Sequence, residues 1–148
     1  MKIKKLYYLI MCIAMFFSKV KAQQADTLSV YFDVNKSGLL VNELNKLNSF
    51  LDAHIQNTKE IIITAYADST GNVANNLILA ANRMDVVKTH LVKTNASFES
   101  IIKASAMGET IKYGHDLQKN RCVELVFVFE ETMNIENIGA YTDRKSVV

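Results

Sequence analysis

The segment from Ile61 to Ala67 constrains the fold most, because β-branched and apolar residues fill both faces of the strand that it would form. Such a strand is typical of the interior of a sheet. Apolar side chains recur at helical spacing on both sides of it. They are Leu40, Leu44, Leu47 and Leu51 before the segment, and Val73, Leu77, Ala80, Met84, Val87 and Leu91 after it. The sequence therefore predicts an interior strand between two amphipathic helices.

Weaker sequence patterns predict a first strand before these helices and set the expected limits of the helices. Residues 28–32 alternate apolar and polar side chains, as a half-buried strand does. Ser37 is a candidate cap for the first helix, which we expect to end near Asn57. The second helix is expected to run from Asn72 to about Lys93.

Two further strands are predicted after the second helix. Residues 101–107 indicate a weaker strand, residues 108–120 a polar loop, and residues 123–129 a strand deep in the sheet. The resulting order is βαβ followed by β, loop and β. It predicts an α/β (α+β) two-layer sandwich, in which two main helices pack on a mixed sheet.

The first 22 residues have the organisation of a secretory signal. Three lysines precede an apolar stretch over residues 6–17, and Val20-Lys21-Ala22 resembles a cleavage site. The stretch is shorter than the ~20 residues that a membrane-spanning helix needs, so an uncleaved anchor is the less favoured alternative, as is a lipid on Cys12. The sequence predicts a cleaved signal over residues 1–22, one domain over 23–129 and a polar, flexible tail over 130–148.

The charge of the mature chain argues against a nucleic-acid partner. Five of the 17 basic residues lie in the predicted signal, which leaves 12 Lys and Arg against 15 Asp and Glu. Cys122 is then the only cysteine, so stability must come from one hydrophobic core and not from a disulfide. His54, His90 and His115 are scattered without the spacing of metal ligands, and no metal site is expected.

The strongest functional indication is the pair Asp68 and Arg83, fifteen residues apart. Asp68 follows the predicted interior strand, and Arg83 lies in the next helix, ~20° around the axis from Asn76. A carboxylate and a guanidinium placed in this way suit the ammonium and the carboxylate of an amino-acid-like ligand. The turn from Ser69 to Asn72 offers free backbone N–H groups, so Ser69 is a further candidate contact. Spacing alone also allows Asp68 and Arg83 to bridge each other.

Short motifs in the chain agree, in order, with those of a known family. They are Val30-Tyr31-Phe32-Asp33, Asn35-Lys36-Ser37, Ala65-Tyr66-Ala67-Asp68-Ser69-Thr70-Gly71, the helix positions Asn76, Leu79, Arg83 and Val87, and the later Gly108-Glu109 and Asn120-Arg121-Cys122-Val123-Glu124. On these residues the chain resembles the OmpA-like peptidoglycan-binding domain family, which includes OmpA C-terminal and MotB-like domains. The resemblance covers about residues 28–129.

The resemblance implies a ligand and a place of action. It implies that Asp68 takes the side-chain ammonium of diaminopimelate in the peptidoglycan stem peptide and that Arg83 takes its carboxylate. Asn35, Thr70 and Asn76 would make secondary contacts. The implied protein is a non-catalytic module without a cofactor. It acts in the periplasm and tethers the outer membrane or an envelope complex to the cell wall. An outer-membrane or envelope protein is a further expected partner.

Several positions depart from the family pattern. Ala65, Tyr66 and Ala67 stand where the family has glycine, histidine and threonine, Ala80 replaces a usual serine, and Cys122 replaces the second arginine of an Asn-Arg-Arg motif. The missing threonine hydroxyl removes one potential ligand bond beside Asp68. The alternative function is therefore an envelope protein–protein interaction domain that keeps the fold and binds peptidoglycan weakly or not at all. Asn120 and Arg121 are interpreted as ordering the entry into the last strand.

Overall fold

The computed structural model describes residues 24–130 of the chain. The predicted signal over residues 1–22 lies outside the described residues, as does the predicted tail beyond residue 130. The elements in chain order are β1 (Ala25–Tyr31), α1 (Val41–His54), β2 (Thr58–Ala67), α2 (Val73–Thr94), a 3-10 helix (Ala96–Ser100), β3 (Ile102–Glu109), the short α3 (Leu117–Asn120) and β4 (Cys122–Phe129). The predicted alternation of strands and helices is confirmed. The segment predicted as a loop contains α3.

The four strands form one sheet in the order β1-β4-β2-β3. β2 and β3 run parallel, whereas β4 lies antiparallel to both of its neighbours. The sheet is therefore mixed, and β2 and β4 are its interior strands, as the sequence predicts. Tyr31 lies opposite Cys122, and Ala65 lies opposite Val123. The ends of β1 and β2 consequently meet the start of β4 at one end of the sheet.

Both main helices pack on the same face of the sheet, and the predicted two-layer α/β sandwich is confirmed. The buried core contains Leu47 and Leu51 of α1, Ala80, Val87 and Leu91 of α2, and Val30, Ile61, Ile63, Ala65, Val123, Leu125 and Phe127 of the sheet. Within residues 24–130, no helix covers the opposite face of β2, and Ile62 is 37% exposed there. β-branched residues favour an interior strand through their pairing with neighbouring strands, even where one face stays open.

The two helices begin in different ways. α1 starts after Leu40, whose side chain makes no capping hydrogen bond, so the predicted cap at Ser37 is wrong. α2 starts after Asn72, whose side-chain oxygen accepts a hydrogen bond of 2.8 Å from the N–H of Ala74. This cap satisfies one of the free N–H groups of the first turn. Among the described residues, no helix is long and apolar enough to span a membrane.

The buried face of α2 differs from the predicted apolar stripe. Val73 and Leu77 are 68% and 48% exposed, although the spacing places them in the core. Asn76 and Arg83 are buried instead, at 5% and 0% exposure. A buried polar group is tolerated only when it is hydrogen-bonded, and both side chains find backbone carbonyls as partners. The first turns of α2 therefore face the loops at the end of the sheet with polar side chains.

Candidate ligand-binding site

A cavity of about 300 Å³ opens at the end of the sheet where β1 and β2 finish and β4 begins. Most of its walls come from the loops after these two strands and from the first turns of α2. It is lined by the charged Asp68, Arg83 and Arg121, by Asn35, Asn72, Asn75 and Asn76, and by Val34, Thr70, Gly71 and Leu79. The two charged residues that the sequence singles out thus border one cavity, and a second arginine joins them.

Arg83 forms the floor of the cavity and is held rigidly. Its Nε donates to the carbonyl of Lys36 at 2.9 Å, its Nη1 to the carbonyl of Tyr66 at 3.0 Å, and its Nη2 to that of Asp33 at 3.0 Å. The guanidinium also lies 5.2 Å from the centre of the Phe32 ring. Burial lowers the pKa of Arg83 to about 10, which leaves the side chain protonated at neutral pH. A fixed positive charge therefore lies beneath the cavity.

Asp68 lies beside this floor and is only 4% exposed. Its Oδ1 accepts a bond of 3.0 Å from the N–H of Thr70 and a second bond from the hydroxyl of Thr70. Its Oδ2 accepts from Nη1 of Arg121 at 3.0 Å. Burial raises the pKa of Asp68, but the bonds from Thr70 and Arg121 outweigh that effect and lower the pKa overall. Asp68 is therefore ionised at neutral pH and has one carboxylate lone pair left for a ligand.

Sequence reasoning did not place Arg121 in the cavity, although the structure does. Its Nε donates to the carbonyl of Phe32 at 3.2 Å, and its own carbonyl accepts from the N–H of Phe32 at 2.9 Å. It thus orders the entry into β4, as predicted, by joining it to the end of β1, and it also forms the ion pair with Asp68. The alternative in which Asp68 and Arg83 bridge each other is wrong, because the partner of Asp68 is Arg121. A correct prediction that β4 pairs between β1 and β2 would have placed Arg121 beside Asp68.

Asn76 closes the wall between the two loops. Its Nδ2 donates to the carbonyls of Asp68 and Thr70 at 3.2 and 3.0 Å and to Oε1 of Glu109 at 2.8 Å. These contacts fix the Asp68 loop to α2 and to the end of β3. Gly108, at a φ of +72°, lets β3 approach α2 so closely that an added Cβ would lie 3.4 Å from Cα of Leu77.

The remaining candidate residues differ in whether they line the cavity. Asn35, at a φ of +53°, lines the cavity from the loop after β1 and is exposed. Thr70 lines it as well and is largely committed to Asp68. Ser69 is exposed and is not among the residues that line the cavity. No cluster of potential metal ligands occurs within residues 24–130.

The fold and cavity define a two-layer α/β domain with a small polar site at the end of a mixed sheet. The chain belongs to the OmpA family, whose sequence profile matches residues 31–121. No curated protein sequence is significantly similar to it.

Solved structures show the same fold. The peptidoglycan-associated lipoprotein of Burkholderia pseudomallei is 26% identical with a TM-score of 0.54, and the match covers 67% of this chain and 88% of that one. The cell wall anchor of the T6SS from Pseudomonas aeruginosa is 16% identical with a TM-score of 0.60, covering 74% and 87%. The periplasmic domain of Helicobacter pylori MotB is 17% identical with a TM-score of 0.60, covering 81% and 85%.

Proposed function

We propose that this protein is a non-catalytic module that binds peptidoglycan through the diaminopimelate residue of the stem peptide. It would be exported to the periplasm and tether the outer membrane or an envelope complex to the cell wall. The observation that carries the proposal is the polar cavity that has ionised Asp68 and protonated Arg83 among its lining residues. Membership of the OmpA family and likeness to a peptidoglycan-associated lipoprotein and a cell wall anchor support it.

The charges of the cavity match a zwitterionic ligand. The free end of a diaminopimelate side chain carries an ammonium and a carboxylate on one carbon atom. Asp68 accepts from the ammonium with its remaining lone pair, and the positive floor at Arg83 attracts the carboxylate. Charge-assisted hydrogen bonds contribute roughly 1.5–3 kcal/mol each, so two of them suit weak, reversible binding, with dissociation constants from the millimolar range to roughly tens of micromolar.

The state of Asp68 supports a role in binding and not as a general base. A general base must accept a proton at the working pH, and its pKa is best placed near that pH. The pKa of Asp68 is lowered below its ordinary value of 3.8, so the carboxylate is a weak base at neutral pH. Its role in the proposed complex is that of a fixed negative charge.

Retention on purified peptidoglycan tests the proposal. Asp68→Asn keeps the shape of the side chain and removes its charge, and we expect retention to fall by about tenfold or more. Asp52→Asn is the matched control, because Asp52 is exposed on α1, away from the cavity, and it should bind like the parent. Equal retention of both variants and the parent would refute the proposal.

A second function is favoured by one specific observation. All three nitrogen atoms of Arg83 already donate to backbone carbonyls, and the side chain exposes no surface. A domain in which this arginine is purely structural would be a protein–protein interaction domain of the envelope. Calorimetry with a soluble peptide that contains diaminopimelate separates the two functions. Absence of heat at millimolar peptide would favour the interaction domain.

A further inference from the structure

Arg121 is a charged residue of the cavity to which the resemblance assigns no contact with the ligand. It binds Asp68 through Nη1 at 3.0 Å, and the side chains of the two residues are 14% and 6% exposed. An ammonium that approaches Asp68 therefore meets a positive charge that already occupies one oxygen of the same carboxylate. A ligand can be accepted here only if it tolerates Arg121 as a close neighbour.

The charges that line the cavity are unequal in number. Arg83 and Arg121 provide two positive charges, and Asp68 provides one negative charge. Glu109 accepts a hydrogen bond from Nδ2 of Asn76 at 2.8 Å and is not among the residues that line the cavity. The Asp68–Arg121 pair is close to neutral as a unit, so the floor at Arg83 dominates the field that a ligand experiences. Such a site attracts carboxylates and disfavours ligands with a net positive charge.

We infer that Arg121 is a specificity-determining residue that excludes cationic side chains from the cavity and admits zwitterionic ones. The inference rests on the proposed function and names the chemical distinction that the site makes. A diaminopimelate end is neutral overall, so the repulsion of its ammonium by Arg121 is offset by the attraction of its carboxylate. A lysine in the same position of the stem peptide has the ammonium alone, so Asp68 still attracts it but no carboxylate is present to offset the repulsion by Arg121 and Arg83.

The side chain of Arg121 is positioned for this role by a second contact. Its Nε is bound to the carbonyl of Phe32, which keeps the guanidinium at the start of β4 and prevents it from swinging away from Asp68. A lysine cannot reproduce both bonds but retains the positive charge. Charge and positioning can therefore be separated by substitution.

The test is the ratio of the affinities for two soluble muropeptides that differ only in diaminopimelate or lysine at one position. The parent should prefer the diaminopimelate peptide. In Arg121→Gln the preference should fall by about tenfold, mainly through tighter binding of the lysine peptide, because one positive charge near the ammonium is gone. Arg121→Lys should keep the preference within about threefold of the parent. Arg121→Met serves as the neutral variant if Arg121→Gln does not fold.

The outcomes separate this inference from the proposed function. If the parent binds the diaminopimelate peptide but its preference is unchanged in the folded neutral variants, Arg121 does not set specificity and the inference fails alone. Equal loss of preference in Arg121→Lys and the neutral variants would assign Arg121 a structural role only. If the parent binds neither peptide, the proposed function fails, and the inference fails with it.

Discussion

The two ends of the sheet each hold a cavity of about 300 Å³ with an acid and a base in its wall. At the end described above, the side chains of Asp68 and Arg121 are 6% and 14% exposed. At the opposite end, Oδ2 of Asp26 lies 3.1 Å from Nε2 of His54, and the Asp26 side chain is 54% exposed. Similar volume and similar partners therefore coexist with very different degrees of burial.

The two cavities differ in the contacts that hold their basic side chains. His54 stacks on Phe50 with ring centres 4.2 Å apart and on Phe129 at 5.3 Å, and its Nδ1 lies 2.8 Å from the carbonyl oxygen of Phe50, one turn earlier in the same helix. Arg83 and Arg121 are instead held by carbonyls 17 and 89 positions away in sequence, which fix the position of a charge without neutralising it. A cavity becomes a candidate ligand site when its charges are fixed and desolvated, and volume alone does not distinguish it.

The largest effect is expected at the buried floor of the cavity. Arg83→Met removes three hydrogen bonds from a charged donor and leaves the carbonyl of Tyr66 without its partner. We expect the free energy of unfolding to fall by roughly 3–5 kcal/mol, as measured by denaturant titration. Lys93→Met, on an exposed position of the same helix, should change it by less than about 0.5 kcal/mol. A tolerated Arg83→Met would show that the floor is not built on this residue.

The close approach of β3 to α2 at the cavity end predicts a second effect. In Gly108→Ala, the new side chain must adopt a positive φ and lies against a backbone atom of Leu77. The substitution should therefore lower the free energy of unfolding by about 1–3 kcal/mol.

Two other glycines provide controls for this substitution. Gly114 has a φ of +62° with open space around it, so Gly114→Ala isolates the conformational cost. Gly38 has no close neighbour within 4 Å and no positive φ, so Gly38→Ala should be nearly neutral. Equal thermal midpoints for the Gly108 and Gly114 variants would show that the contact with Leu77 does not matter.

The dependence of the unfolding free energy on acid pH is expected to show a smaller effect, at Asp68. Because the pKa of Asp68 is lowered in the folded state, its contribution to stability is complete above its unfolded value and is lost as the pH falls through the folded value. The unfolding free energy of the parent should therefore decrease with pH below about 4. Asp68→Asn should show a shallower decrease over the same window. Identical slopes for parent and variant would mean that Asp68 does not gain stability from Thr70 and Arg121.

The smallest effect is expected at the opposite end of the sheet. Asp26→Asn replaces the carboxylate in the largely exposed contact with Nε2 of His54, and should change stability by ~0–1 kcal/mol. Retention on peptidoglycan should equal that of the parent, since Asp26 lies at the other end of β1 from the cavity. A loss of retention would remove the functional distinction between the two ends.

Several features of the site could be predicted from local sequence, and others could not. Asp68 at the end of an apolar strand and Arg83 at the edge of the following helix were recognisable from spacing, because both elements have strong periodicity. The three carbonyls that hold Arg83 belong to residues 17, 47 and 50 positions away. Carbonyls occur at every residue, so no side-chain pattern marks those that will serve as acceptors.

The exposure of Val73 and Leu77 could not be predicted for the same reason as the hydrogen bonds of Arg83. Helical spacing correctly placed Ala80, Val87 and Leu91 on the buried face of α2. It could not show that the buried positions in the turns near the loops are Asn76 and Arg83, each next to a residue of the predicted stripe. The turns near the loops bury Asn76 and Arg83 in place of apolar residues, because only the assembled loops offer acceptors there.

By itself the sequence determined the elements, their order and the layered α/β class, because hydrophobic periodicity is a local property of the chain. It also placed an acid and a base where an interior strand gives way to a helix. Only the tertiary structure decided that Arg121, and not Arg83, pairs with Asp68. The reason is that β4 pairs between β1 and β2, which brings together residues 53 positions apart, and such a neighbour exists only once the sheet has formed.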